Sequence, residues 1–376
     1  MISIIIPAFN HEKKIQRTIE SVLSQTFKKF ELLISDDSSQ DNTYKIAKSY
    51  EAKDSRIKVF KQYKNLGPSE NTNFLTLKAK YDYLCACSSD DFFEKDKIEN
   101  QFKFLNEENL DFTFTHVNVV NENVKEIDQT NCEEFENLFN QKIKKNKQNI
   151  NDQIIKSLFF NGNFICGTTL LCKTNIAKDN LWDKKYLQLQ DYAQWIKWIS
   201  KGCKIGILEK KLHNYVLHKN LSSSLSKGTM NLSFVERIKI LENFLFFPYS
   251  SKLLLFDKND DFFEKINEKN INFYICKKAI LNENLDLKMF GCINILNYLD
   301  TENQKEIFQL VKENFFLEKF LFIKEKYSVI ATRDNFDPKK YAEFNEDINK
   351  TFKDNYDKIN DHFLKFGISE KRRQFK

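Results

Sequence analysis

Two periods of apolar residues alternate along the first hundred positions. Ile2–Ile6 is a short apolar run, interrupted by Ser3 alone and closed by Pro7, the pattern of a buried strand. Ile15, Ile19, Val22 and Leu23 then recur at helical spacing. Glu31–Ser35 predicts a second buried strand, and Asp41–Tyr50 a helix capped by Asp41 with Ile46, Ala47 and Tyr50 facing inward. Ile57–Tyr63 predicts a third strand, Asn65-Leu66-Gly67-Pro68 a loop, Phe74–Ala79 a continuing helix and Tyr83–Cys87 a fourth strand. This alternation predicts an α/β fold, a mostly parallel sheet flanked by helices.

Beyond residue 110 the pattern changes. Asp111–Val120 alternates Phe112, Phe114 and His116 with Thr113, Thr115 and Val117, as a strand does, so His116 reads as packed or exposed. Gln129–Asp152 is rich in Asn, Gln, Lys and Glu and reads as a loop over an otherwise helical stretch. Phe164–Cys172 is apolar and β-like, and Trp195, Trp198 and Ile199 share the inner face of a helix. From Asn231 to Lys326 the pattern is helical, and Asn335–Lys376 is polar with spaced aromatics. The expected organisation is therefore a first domain over 1–228, a helical subdomain over 229–330 and a short module over 331–376.

Composition narrows the class. Of 376 residues 41% are hydrophobic and 30% charged, enough apolar surface to close a core. The 59 Lys and Arg against 53 Asp and Glu leave +6, too mild for a polybasic nucleic-acid binder but compatible with phosphates or an anionic membrane surface. The 8 cysteines include no CxxC pair, which argues against a zinc ribbon. With no secretory leader expected, reduced thiols are the simplest reading. No run reaches the roughly 18 apolar residues of a spanning helix, so a soluble or peripheral protein is expected.

In a parallel α/β sheet, ligands bind beyond the carboxyl ends of the strands. Those ends carry Pro7-Ala8-Phe9-Asn10, Asp36-Asp37-Ser38-Ser39, Gly67 and Ser88-Ser89-Asp90-Asp91. Gathered carboxylates repel one another unless something compensates, and a divalent cation bound with a nucleotide diphosphate would do so. The chain has neither a G-x-G-x-x-G after its first strand nor a P-loop, which argues against a dinucleotide oxidoreductase and a P-loop enzyme.

The stretches SIIIPAFNHEKKIQRTIESVLSQTFKKFELLISDDSSQDNT, NLGPSENTNFLTLKAKYDYL and CSSDDFF, in this order, resemble the family 2 glycosyltransferases of the GT-A fold, and the resemblance runs from Met1 to about Ser224. It implies a Rossmann-like, mostly parallel mixed sheet and an inverting, metal-dependent transfer from a nucleotide sugar. It also implies that Pro7, Ala8, Asn10 and Gly67 lie at the nucleotide and that Asp37 bonds the uracil. Asp90 would serve the ribose or the metal, and Asp91 the metal (Mn²⁺ or Mg²⁺). Leu189-Gln190-Asp191-Tyr192-Ala193-Gln194-Trp195 resembles the family's E-D-x-x-x-W, which makes Asp191 the general base. Tyr215-Val216-Leu217-His218 with Ser222–Ser224 resembles its Y-R-x-H…S segment, which brings His218 to the metal or the phosphates. The chain departs from the pattern at Ser38, Thr72, Ser88, Gln190 and Val216.

The implied partners are a nucleotide-sugar donor, UDP-linked by analogy, and a glycan or lipid-linked glycan acceptor. The implied enzyme is a hexosyl- or N-acetylhexosaminyltransferase of bacterial surface glycans, capsule or lipooligosaccharide among them. It would be cytoplasmic, with contact at the cytoplasmic face of the inner membrane, and no nucleic acid is expected. The departures also motivate another reading, a sugar-nucleotide-binding or scaffold protein with weak catalysis. Each candidate has a structural alternative: Asp90-Asp91 as a strand-end turn, Asp37 and Asp191 as helix caps, His218 as an isolated side chain. The tail FDPKKYAEFNEDINK…HFLKFGISEKRR resembles a short module attached to some bacterial glycosyltransferases, and Lys371, Arg372 and Arg373 could touch anionic lipid.

Overall fold

The chain enters the structure as strand β1 (Ile2–Ala8), which is buried almost throughout because its apolar run has side chains on both faces. It pairs in parallel with β2 (Phe30–Asp36) on one side and β4 (Tyr83–Ala86) on the other, and β3 (Ile57–Lys61) extends the parallel group beyond β2. The computed structural model describes residues 1–121, 129–141, 150–217, 227–298, 328–330, 336–352, 355–364 and 373–375. They divide into two compact units, Met1–Leu299 and Asp300–Lys376.

Four more strands complete the sheet of the first unit: β5 (Phe92–Phe93), β6 (Phe112–Asn121), β7 (Leu171–Lys173) and β8 (Ile205–Leu217). Among the described residues the order is β3-β2-β1-β4-β7-β6-β8-β5. β7 runs antiparallel between β4 and β6, β5 is antiparallel to β8, and β6 is parallel to β8. The fold is thus α/β with a mixed, mostly parallel sheet. The β6–β8 ladder shifts register between Thr115, His116 and Val117, so that Thr115 pairs with Leu208 but Val117 with His213. Such bulges re-aim side chains at strand ends.

Helices α1 (Ile15–Leu23), α2 (Thr43–Glu51), α3 (Pro68–Lys78) and α4 (Lys97–Glu107) connect the first strands. Ile15, Ile19 and Val22 of α1 join Ile4 and Ile6 of β1 in one apolar core. α3 starts as its sequence suggests, with Gly67 at φ 81° followed by Pro68 in the first turn. The stretch read as a loop over helix holds α5 (Gln129–Phe139) and α6 (Ile150–Asn161), while 142–149 lie outside the described residues. Phe164–Cys172 is mostly turn, with a 3₁₀ segment Gly167–Thr169 before the short β7. There the Thr169 hydroxyl accepts from the Thr115 N–H (3.2 Å) and donates to the Cys166 carbonyl (2.8 Å), so it closes the turn before a ladder can form.

α7 (Thr174–Asp179) and α8 (Gln190–Ser200) follow, and α8 buries Trp195 and Trp198 against Phe112 and Phe114. The helical stretch read from the sequence holds α9 (Lys227–Leu241), α10 (Tyr249–Leu253), α11 (Ile271–Ile280) and α12 (Leu285–Ile295), all within the first unit. The second unit contains β9 (Ser328–Ile330) paired with β10 (Arg373–Phe375), and α13 (Pro338–Phe344), α14 (Glu346–Phe352) and α15 (Tyr356–His362). Its small core is Tyr341, Ala342, Ile348, Ile359 and Phe363, with Phe336 stacked on Phe363 at 3.9 Å. Among the described residues no helix is long and apolar enough to cross a membrane.

α11 and α12 approach so closely at Gly291 that a Cβ there would lie 2.6 Å from the Cys276 carbonyl and 3.0 Å from the Ile280 nitrogen. Both obstacles are backbone, so the helices themselves must separate. Gly291→Ala therefore lowers stability by about 1–3 kcal/mol, although alanine is the better helix former. Urea unfolding of the full chain measures it; an unchanged or higher midpoint would contradict the close packing.

Candidate active site

α1 presents its apolar face to the sheet, and its polar edge Arg17, Thr18 and Ser21, with Gln25 just past its end, faces residues 89–98. The Thr18 hydroxyl lies 3.0 Å from the Ser89 carbonyl and 2.6 Å from that of Asp91. Arg17 donates to the Asp90 carbonyl (3.3 Å), and Ser21 Oγ accepts from the Phe93 N–H (3.1 Å). Gln25 donates to the Glu94 carbonyl (2.7 Å) and accepts from the Ile98 N–H (3.1 Å). With its backbone groups held this way, Ser88–Asp91 leaves β4 as a fixed corner, and its two carboxylates enter different surroundings.

Asp91 is 1% exposed. Its Oδ1 accepts from the Val216 N–H at 2.9 Å, and its Oδ2 from Thr168 Oγ1 and His213 Nε2, both at 3.0 Å. Burial pushes its carboxyl above the usual range while the His213 and Val216 donors pull the other way. Asp90 bonds the Ser88 hydroxyl, and its Oδ2 lies 3.7 Å from His11 Nε2. The His11 ring is itself steered by Ser89 Oγ, 2.7 Å from Nδ1.

Asp37 binds the loop before α3: Oδ1 accepts from the Leu66 N–H (2.7 Å) and Oδ2 from the Gly67 N–H (2.9 Å). Its carboxyl is raised by burial against the pull of those two amides. Asn10 and Ser38 both take left-handed backbone, φ 55° and 63°. They form facing corners, in which the Asn10 N–H donates to Ser39 Oγ (2.9 Å) and Asn10 Oδ1 accepts from the Gln40 N–H (2.9 Å). Ala8 is buried, and its carbonyl accepts from the Asp37 N–H at 2.8 Å. The four strand ends are thereby tied to one another by the chain's own groups.

A cavity of about 370 Å³ opens beside this edge. Pro7, Ser88, Thr168, Asn163 and Asp191 line it, with Phe139 and Tyr215 on an aromatic wall. Asp191 lies in the first turn of α8, where Oδ1 accepts from the Tyr192 N–H (2.7 Å) and Oδ2 from Asn163 Nδ2 (3.0 Å). A Cβ on Gly167 would sit 3.0 Å from Asp191 Oδ2, so any larger residue there would press on the carboxylate. Burial pushes the Asp191 carboxyl up to about 6. Asn10 and His11 line a second cavity of about 420 Å³, together with Lys13, Lys14 and Asp41.

His218 and Ser222–Ser224 lie outside the described residues. Sequence reasoning missed His11, Asn163, Gly167, Thr168 and His213. The available signal was Gly167, one of only 8 glycines in the chain. Among the described residues no three His, Cys, Asp or Glu side chains form a cluster that could hold a metal. Asp91 is the more deeply buried of the two carboxylates, so the hard oxygen donors nearest the surface of the corner are the Asp90 carboxylate and the Ser88 hydroxyl. That set fits a Mg²⁺-like cation, which takes one or two carboxylates and completes its shell with phosphate and water.

The chain matches the family model for glycosyl transferase family 2 over residues 3–171. An uncharacterized glycosyltransferase of Rickettsia conorii is 31% identical over 300 residues, 73% of this chain and 44% of that protein. One from Rickettsia felis is 32% identical, over 64% of this chain and 42% of its own length, so the chain spans less than half of these two relatives. The Escherichia coli UDP-Glc:alpha-D-GlcNAc-diphosphoundecaprenol beta-1,3-glucosyltransferase WfaP is 31% identical over 204 residues, 54% of this chain and 72% of WfaP. The crystal structure of S. aureus TarS 1–349 with UDP-GlcNAc superposes with a TM-score of 0.55 over 88% of this chain and 94% of that one. At 17% identity that likeness concerns the fold, which is of the GT-A type.

The grip of α1 on the acidic corner is testable without any assay. Thr18→Val keeps the shape and removes the one hydroxyl shared by the Ser89 and Asp91 carbonyls. Stability in urea should fall by about 1–3 kcal/mol. A loss under a few tenths would mean that α1 does not hold the corner through Thr18.

Proposed function

The chain belongs to glycosyl transferase family 2, and on that premise we propose that it is an inverting transferase that moves a sugar from a UDP-sugar to a hydroxyl of a lipid-diphosphate-linked glycan. The observation that carries the reading is Asp191: a carboxylate raised toward neutrality on the wall of a cavity shared with the strand-end residues Pro7 and Ser88. The relatives WfaP and WfgD of E. coli, both UDP-Glc:alpha-D-GlcNAc-diphosphoundecaprenol beta-1,3-glucosyltransferases, support the donor and the acceptor class. Such an acceptor would bring the protein to the cytoplasmic face of the inner membrane.

In this reading Pro7, Ala8, Asn10, Asp37 and Gly67 frame the nucleotide. Asp37 also holds the 65–67 loop, since its bonds to two amides leave lone pairs for a base edge. Asp90, with Ser88 beside it, would hold the divalent cation, and Asp91 acts as the buried tie behind it. A cation there supplies positive charge against the charge growing on the leaving diphosphate. Asp191 takes the proton of the acceptor hydroxyl as its oxygen bonds to the anomeric carbon and the bond from that carbon to the diphosphate oxygen breaks. A single displacement of this kind inverts the anomeric configuration and releases the nucleoside diphosphate.

Asp191→Asn keeps the size and the Tyr192 contact but removes the basicity. Turnover in a UDP-sugar transfer assay should fall about 10²–10⁴-fold while UDP affinity holds. In the parent the base must be ionised, so the rate should rise with pH through about 6 and level off above it. A variant that turns over at the parent rate would reduce Asp191 to a helix-terminal residue.

Metal dependence is read by UDP titration with Mn²⁺ and with EDTA. Coupled binding of cation and diphosphate should strengthen UDP by about 5- to 150-fold, and Asp90→Ala should erase the difference. Equal affinity in the two buffers would remove the cation from the site.

A further inference from the structure

Glu236 lies on α9, 65 residues past the end of the family match at 171. Its carboxylate is buried and receives three successive amides. Oε1 accepts from the Leu187 N–H at 2.7 Å, and Oε2 from the N–H groups of Gln188 at 3.0 Å and Leu189 at 2.8 Å. Consecutive amides converging on one anion make a backbone nest, and charge-assisted bonds of this kind are the stronger ones. The nest runs straight into the first turn of α8. Gln188 and Leu189 line the same cavity as Asp191, two residues further on. Leu189 at the helix N-cap offers no side-chain cap bond, so the turn has no local fastening of that type.

The next residue anchors the clamp. Arg237 pairs with Asp286 of α12, donates to the Phe160 carbonyl (3.2 Å) at the end of α6, and packs where Gly162 leaves room. One turn of α9 thus ties the approach to Asp191 to two other helices.

We propose that Glu236 is the positioning residue for Asp191, a carboxylate clamp that fixes the 187–189 loop and so sets where Asp191 stands on the cavity wall. Its catalytic consequence rests on Asp191 as the base; the clamp itself does not. A loosened loop would let water reach Asp191 and return its carboxyl toward the ordinary range. Among the described residues, the groups packed on that carboxylate are Asn163, Gly167, Tyr192 and Trp195, with the Cys166 thiol nearby and itself raised by burial.

The test uses the full chain. Glu236→Gln replaces one accepting oxygen with an NH₂ group that faces an N–H. Turnover should fall by about 10²-fold, UDP affinity should hold, and the acid limb of the kcat–pH profile should move below its parent position. Glu236→Asp, which keeps the charge, should recover part of the turnover and of the limb. A merely structural role would lower the melting point and leave the limb in place. Hydrogen exchange on the parent reads the clamp directly: the amides of 187–189 should be protected as strongly as the body of α8. Exchange at open-loop rates overturns the proposal, as does a folded Glu236→Gln protein with parent turnover and parent limb. If Glu236→Gln does not fold, the exchange data and the limb of Glu236→Asp decide, and an unshifted limb counts against the proposal. If the parent transfers no sugar from any UDP-sugar, the base reading fails, while protected amides would still support the clamp.

Discussion

A carboxyl group removed from water must find its hydrogen-bond partners within the chain or cost several kcal/mol. Asp91 imposes that requirement on the first unit. Its donors come from β8 twice, as the Val216 N–H and the His213 ring, and from the 167–169 turn through Thr168. The pairing of β5 with β8, the register shift between β6 and β8 and the turn before β7 must therefore all be right together. The same turn puts Gly167 against Asp191, so the acidic corner and Asp191 share one support. Beneath it the fully buried Lys97 ammonium bonds Gln101 Oε1 (2.7 Å) and the Thr169 carbonyl (3.3 Å) and faces the Phe93 ring. A loss at any of these points would reach both carboxylates.

Local period was enough to read β1, β2 and β4, the apolar face of α1 and the residues that leave the strand ends, because each depends on neighbours within a few positions. Phe164–Cys172 has the pattern of a strand because its apolar residues do face the core. What ends the strand is a hydroxyl contact between Thr169 and Thr115, 54 residues apart. His213 and Glu236 were invisible for the same reason: their roles come from partners 122 and 47–49 residues away. Residue type also does not say which oxygens are already taken. Asp91 and Asp90 look interchangeable in sequence, yet one accepts three bonds from distant parts of the chain while the other faces Ser88 and His11.

Asp191 carries a tension between folding and chemistry. Its carboxyl sits near 6 in the folded chain and near 3.8 when fully solvated. The folded state therefore binds that proton more tightly, and the ionised form is disfavoured by about 3 kcal/mol at pH well above 6. The disadvantage shrinks as pH falls through 6, where Asp191 takes up its proton. A residue kept at that disadvantage needs a surround that will not relax to admit water, and the Gly167 contact, the Asn163 amide and the 187–189 loop supply it. The raised pKa that would suit this carboxylate to the proposed base role near neutral pH is the one that strains the fold.

The family match ends at residue 171, short of Asp191, His213 and Glu236. The matched part contains the strand ends that, in the proposed reading, frame the nucleotide, and these are cross-tied by short-range contacts such as Asp37 to Gly67 and Asn10 to Ser39. Asp191 is held differently, by the Asn163 amide just after α6 and by the 187–189 loop that Glu236 of α9 fastens. Substitutions at Gln188, Leu189 or the Phe139–Tyr215 pair can reshape the wall around Asp191 without touching the cross-ties of the strand ends. α9 thus adds a support for Asp191 from outside the matched segment to those that Asn163 and Gly167 give from within it. Glu236 bonds the backbone of 187–189, so in the proposed reading the side chains there can vary with the acceptor while the position of the base is kept.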